Sequence, residues 1–140
     1  MYEAGKIGDR ERYNQPIDFT GLRYKNITPS DIDGKIFFFE IRKSIFVFIE
    51  LKWRKTLCRD GQYLAFQNLT DIIPVPAIYI IAEHEVDDCN RLVIAHNCLV
   101  REFRYQNKWH VPKKECTLKN LIDWFLRKYG FAHYIKHIPE

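Results

Sequence analysis

Apolar and polar positions alternate in two rhythms along this chain, one suited to strands and one to helices. Ile32 to Ile41 is rich in Ile and Phe, and Ser44 to Trp53 is β-branched and aromatic almost throughout, with a short polar break at Arg42-Lys43-Ser44. This pattern predicts an antiparallel hairpin. Ile45, Phe46, Val47, Phe48 and Ile49 are apolar without alternation, so the second strand is expected to be covered on both faces and central in its sheet. From Asp60 to Ile73 the period turns helical, with Gln62, Phe66, Leu69 and Ile73 on the sheet-facing stripe and Pro74 closing the segment. Ala77 to Ala82 is a further apolar strand, which a crossover through that helix sets parallel to a neighbour. Arg91 to Ala95 and Leu99 to Tyr105 read as further strands, with Asn107-Lys108 as a turn before Trp109. The last helix has all its signals. Thr117 is a good N-cap, Leu118, Leu121, Ile122, Phe125 and Tyr129 form the stripe, Arg127 and Lys128 suit the negative end, and Gly130 supplies the left-handed stop.

The first 30 residues are polar and punctuated by Gly5, Gly8, Pro16, Gly21 and Pro29. They predict at most a short helix before Tyr13 and a peripheral strand around Leu22 to Ile27. No repeat, low-complexity tract or long linker interrupts the 140 residues, so one domain over residues 1–140 is expected. The order of elements predicts an α/β domain with a central mixed β-sheet flanked by helices. Apolar residues at 46% and charges at 29% fit a globular chain, and the net charge of +4 permits a polyanionic partner without demanding one. No apolar run approaches the roughly 20 residues that cross a bilayer, and the charged stretch from Glu3 to Arg12 is no secretory signal. A cytoplasmic protein with no membrane partner is expected.

Four cysteines, Cys58, Cys89, Cys98 and Cys116, form no C-x-x-C pair and read as reduced thiols. A zinc site drawn from His84, Cys89, His96, Cys98, His110 and Cys116 lacks the compact spacing of a finger or ribbon. The chemistry concentrates on the hairpin. Its first strand segment carries Asp31 and Asp33 and its second Glu50 and Lys52, so each pair, two residues apart, shares a face. Around a break near Lys43, residue 33 lies ten positions before and residue 52 nine after, which brings the two sets near one another across the hairpin. Mg²⁺ takes oxygen ligands, typically one or two carboxylates with phosphate oxygens and water. Asp33 and Glu50 fit that need, and the Leu51 carbonyl is a third candidate ligand. A lysine two residues beyond a metal carboxylate can hold an attacking water and offset charge on phosphorus. Lys52 stands there.

Pro29-Ser30-Asp31-Ile32-Asp33-Gly34, followed 17 residues after Asp33 by Ile49-Glu50-Leu51-Lys52, resembles the PD-(D/E)XK nuclease superfamily. That superfamily includes restriction endonucleases, Holliday-junction resolvases, phage exonucleases and recombination nucleases. The resemblance covers Pro29 to about Ile81. It implies a restriction endonuclease-like core and Mg²⁺-dependent hydrolysis of DNA, with Mn²⁺ as a substitute cation. It assigns Asp33 and Glu50 to the metal, with Asp31 as rival to Asp33, and Lys52 to catalysis. It adds Gln62, early in the following helix, as a residue that reaches the site. Glu3, besides Glu11, matches the glutamate that the family often carries on an opening helix.

Trp53, Arg54, Lys55 and Arg59, just beyond Lys52, form a candidate DNA-phosphate contact, and Lys108, Trp109, His110, Lys113 and Lys114 form a second cluster. A solvated basic face is the plain alternative. For Glu50 and Lys52 it is a surface salt bridge, which contributes about 0–1 kcal/mol. Their place directly after a buried apolar run argues against that, because charges there are costly unless paired or metal-bound. Two other readings compete with a nuclease: a non-catalytic nucleic-acid- or protein-binding module on the same scaffold, and an iron-sulfur nuclease, against which the wide cysteine spacing speaks. A homodimer would supply a larger DNA surface.

Overall fold

The computed structural model describes residues 15–32, 35–54, 61–88 and 90–136. The hairpin forms between β3 (Ile36–Ile41) and β4 (Ile45–Trp53), antiparallel from Ile41 opposite Ile45 to Ile36 opposite Glu50. Its turn is tight. The Ser44 N–H donates to the Ile41 carbonyl at 2.8 Å, and Arg42 and Lys43 take φ of 52° and 57°, the hairpin geometry that matches strand twist.

The expected strand from Ile32 to Ile41 is shorter, Ile36–Ile41, and a separate short strand precedes it. β2 (Ser30–Asp31) folds back on β3, with Ser30 opposite Phe38 and Asp31 opposite Phe37, and the Ile32 N–H donates to the Ile36 carbonyl at 2.8 Å. β2 and β3 run antiparallel, so β3 starts only at Ile36.

After β4 comes α1 (Gly61–Ile72), and β5 (Ala77–His84) then lies parallel to β4, as the crossover requires. β7 (Leu99–Tyr105) adds antiparallel to β5, and β8 (Lys108–His110) adds to β7. Their turn falls on Gln106 and Asn107, at φ of 52° and 63°, one residue earlier than expected. The six strands lie in the order β2-β3-β4-β5-β7-β8, a mixed sheet with β4 and β5 at its centre. Arg91 to Ala95 does not join it. β6 (Val93–Ile94) pairs parallel with β1 (Ile17–Asp18) in a separate ribbon, where the Gln15 side chain donates to the Asp88 and Arg91 carbonyls at 3.2 Å each.

Strand alternation divides the core. Phe37, Phe39, Val47, Ile49, Leu51, Ile78, Ile80 and Ala82 pack on one side against Leu118, Leu121, Ile122, Phe125 and Leu126 of α2 (Leu118–Lys128). Phe48, Tyr79 and Ile81 face the other way, against Tyr63, Phe66 and Ile73 at α1. α2 has the expected cap, with the Asn120 N–H donating to Thr117 Oγ1 at 3.2 Å, and Gly130 turns left-handed at φ 85°. α1 is rotated from expectation. Tyr63 is buried and Gln62 and Leu69 are exposed, because Tyr63 stacks on Trp109 of β8 with ring centroids 4.7 Å apart. Leu22 and Tyr24 are core residues rather than peripheral ones. Tyr24 makes a bridge to Ile27, stacks on Phe39 at 5.5 Å, and donates its hydroxyl to Asp123 at 2.8 Å. Among the described residues no helix is long and apolar enough to cross a membrane.

Candidate active site

The last stretch of β4 carries Glu50, Leu51 and Lys52. Alternation sends Glu50 and Lys52 to the α1 side and Leu51 to the α2 side. Both charged residues are deeply buried, Glu50 at 2% and Lys52 at 7% exposure, and Lys52 Nζ lies 2.8 Å from Glu50 Oε2. The buried Tyr79 of β5 donates its hydroxyl to Glu50 Oε1 at 2.5 Å. The rings of Phe66 and Trp109, at 5.8 and 5.7 Å, fix Tyr79 in turn. Each carboxylate oxygen therefore has its own donor. Taking two charges out of water costs several kcal/mol per ion, which their attraction often only offsets. A buried pair at the end of a central strand is thus weak support for the fold and a pointer to chemistry.

The Leu51 N–H donates to the Lys35 carbonyl at 2.9 Å. A strand residue's N–H and C=O point the same way, so the Leu51 carbonyl also faces the edge where the chain enters β3. Asp33, Lys55 and Arg59 lie outside the described residues, as do Glu3 and Glu11. Asp31 is exposed and opposite Phe37, which packs on the α2 side, whereas Glu50 is opposite Ile36 and projects to the α1 side. The register of β2 and β4 on β3 thus sets Asp31 and Glu50 on opposite faces, and the two are not brought together. Gln62 is exposed in the first turn of α1, and Tyr63 takes the sheet-facing place expected for it. Arg54, at the end of β4, is held by acids: its NH2 lies 3.5 Å from Asp87 Oδ2 and its NH1 3.9 Å from Glu85.

Two further charges that sequence reasoning missed complete the row. Glu83 of β5 is paired with Lys52 and shares its face. Arg101 of β7 donates to Glu83 Oε2 from Nε at 2.8 Å and from NH2 at 2.6 Å. Ile81 is opposite Glu102 and Ala82 opposite Val100, so Arg101 is the extra residue of a β-bulge. Lys52, Glu83 and Arg101 therefore run across three neighbouring strands, with Glu50 one row inward. Glu83 had a signal, a charge in step with Tyr79 and Ile81 at the end of an apolar strand. The bulge had none.

Two members of the second basic cluster, Trp109 and His110, are packed into the fold. Trp109 donates from Nε1 to Gln67 Oε1 at 2.8 Å, with its ring against Tyr63 and Tyr79, and His110 stacks on Phe103 at 5.1 Å. Lys108, Lys113 and Lys114 are exposed. His84 accepts the Val86 N–H on Nδ1 at 3.1 Å, as a satisfied loop histidine does, and lines a cleft of about 500 Å³ with Glu83, Arg91, Asn97 and Cys98. Cys98 and Cys116 are free thiols; burial pushes Cys98 up to about 12 and Cys116 upward as well. Cys58 and Cys89 lie outside the described residues. Among the described residues no three His, Cys, Asp or Glu side chains converge on a metal position. Compared with protein-family models, with curated proteins and with solved structures, the chain matches none of them.

Proposed function

We propose that this protein is a metal-dependent deoxyribonuclease that hydrolyses DNA phosphodiester bonds at the end of β4, through Asp33, Glu50 and Lys52. The observation that carries this reading is the Glu50–Lys52 pair, 2% and 7% exposed and 2.8 Å apart, at the exit of the central strand. The sequence resemblance described above supports it. So does the order of elements from β2 through β5, an antiparallel meander, a helix and a parallel strand.

The donor set suits a hard cation: the Glu50 carboxylate and Leu51 carbonyl, with Asp33 as the second acid. Bound there, Mg²⁺, or Mn²⁺ in its place, would polarise a phosphoryl oxygen and lower the pKa of an attacking water. Tyr79 orients Glu50 by holding Oε1, which leaves Oε2 as the oxygen shared with Lys52. Lys52 is the other donor to Glu50, at Oε2. When substrate arrives, its ammonium turns from Glu50 to the attacking water and offsets the charge that builds on phosphorus. Arg54 exchanges Asp87 and Glu85 for backbone phosphates, joined by Lys55 and Arg59.

One observation favours a second reading, a binding module without catalysis: both Glu50 oxygens are already engaged, by Tyr79 and Lys52. Incubation with linear, circular, single-stranded and branched DNA in Mg²⁺ or Mn²⁺ separates the two. Cleavage that EDTA abolishes is expected. Binding of these DNAs without cleavage of any would overturn the nuclease reading in favour of the module.

A further inference from the structure

We infer that Arg101 is a substrate-binding residue, a clamp for a phosphate of the nucleic-acid backbone that Glu83 holds in place until substrate arrives. This rests on the nuclease reading and extends its site to β7. The bulge is the first reason. Inserting one residue opposite Ile81 and Ala82 turns the side chain of Arg101 onto the α1 side, and bulges beside active sites commonly re-aim a side chain in this way. Position is the second. Arg101 bonds Glu83, the neighbour of Lys52, and its NH2 donates to the Arg54 carbonyl at 3.4 Å, so the guanidinium reaches across β5 to the end of β4.

The third reason is how the pair is made. Arg101 Nε and NH2 both fall on one oxygen of Glu83, at 2.8 and 2.6 Å. Arg104, farther along the same strand, instead grips both oxygens of Asp71, at 2.9 and 2.7 Å. A guanidinium fork prefers two acceptor oxygens, which a phosphate supplies and the present Glu83 geometry does not. The Arg101 and Glu83 side chains are 24% and 30% exposed, against 14% and 22% for Arg104 and Asp71. Arg104 also lies over the Trp109 ring, at 6.0 Å. Of the two pairs, Arg101–Glu83 is the more exposed and the one gripped through a single carboxylate oxygen.

The test is fluorescence anisotropy with a fluorescein-labelled duplex of about 20 bp in EDTA, over a salt series, alongside single-turnover cleavage of the same duplex in Mg²⁺. Arg101→Ala is expected to weaken binding about 10-fold and to lower the slope of log K against log salt by about 0.9, one phosphate contact. Arg101→Lys should restore the slope but cleave more slowly than wild type, because the fork is gone. Glu83→Gln should act in the opposite sense, tightening binding about 3-fold by releasing Arg101 and removing a charge that repels phosphate. Should Arg101→Ala fail to fold by circular dichroism, the Lys and Gln variants carry the test. A pair with a merely structural role would move Arg101→Ala and Glu83→Gln in the same direction and leave the slope alone, and that result overturns the inference. If wild type cleaves DNA and the Arg101 variants match it, the inference falls and the nuclease reading stands. If wild type neither binds nor cleaves, both fall.

Discussion

Lys52→Met removes the cation beside a carboxylate that is 2% exposed, while keeping much of the buried stem. Tyr79 still donates to Glu50 Oε1, but Oε2 loses its partner at 2.8 Å. Breaking a buried pair on one side costs about 3–5 kcal/mol, because the remaining charge is left uncompensated. With a urea m-value of about 1.5 kcal/mol/M, the unfolding midpoint should fall by about 2–3 M. Removing both charges should not. In Glu50→Leu with Lys52→Met, the new leucine lies between Ile36 on β3 and Ile81 on β5, and stability should return to within about 1–2 kcal/mol of wild type. The remaining deficit is largely the Tyr79 hydroxyl without that acceptor, and adding Tyr79→Phe should recover about 1 kcal/mol of it. Equilibrium urea unfolding followed by circular dichroism measures the series, and the multiple variants should be stable yet inactive. A loss below about 1 kcal/mol for Lys52→Met would be the behaviour of a solvated surface pair, and would refute the reasoning from burial.

Gly21 packs against His96 so closely that an added Cβ would lie 2.0 Å from Nδ1 and 2.8 Å from the histidine Cβ. Gly21→Ala should therefore cost about 1–3 kcal/mol in thermal unfolding, and less once His96→Gly removes the whole side chain; equal losses in both backgrounds would contradict the packing. Burial first, and then the Asp123 carboxylate, raise the Tyr24 pKa above its ordinary value, so its contribution to stability is intact below about pH 10 and is lost progressively above. Tyr24→Phe should flatten that alkaline loss, and urea midpoints that fall equally in both proteins from about pH 8 to about pH 11 would refute it. Cys98, 3% exposed and with its thiol pushed up to about 12, should resist iodoacetamide near pH 8 until the protein is unfolded. Peptide mass spectrometry measures this, and native labelling at the rate of an open thiol would contradict it.

The elements with strong periodicity were legible in the sequence. The unbroken run Ile45 to Ile49 correctly indicated a central strand, and Thr117 with Gly130 correctly bounded α2. What was lost depended on contacts between distant segments. Nothing local says that β8 presents Trp109 to α1, yet that ring makes Tyr63 rather than Gln62 the buried residue of the first turn. The short strand β2 had no periodic signal of its own, and its register on β3 is what parts Asp31 from Glu50. Of the candidate site, the i, i+2 spacing gave the Glu50–Lys52 pair, while Tyr79, Glu83 and Arg101 entered through strand register, a property of pairing rather than of any one segment.

The division of labour between the carboxylate and the lysine tests the nuclease reading most directly. Mn²⁺ titration and single-turnover DNA cleavage are measured on wild type, Glu50→Gln and Lys52→Met, each under conditions where circular dichroism shows a folded protein. Glu50→Gln should weaken cation binding and abolish cleavage, since it removes a ligand charge. Lys52→Met should bind the cation near the wild-type level while its cleavage rate falls by on the order of 10²-fold or more, because the lysine acts on the transition state. Full cleavage by Lys52→Met, or no measurable cation binding by wild type, would contradict the mechanism and leave Glu50 and Lys52 as a buried structural pair.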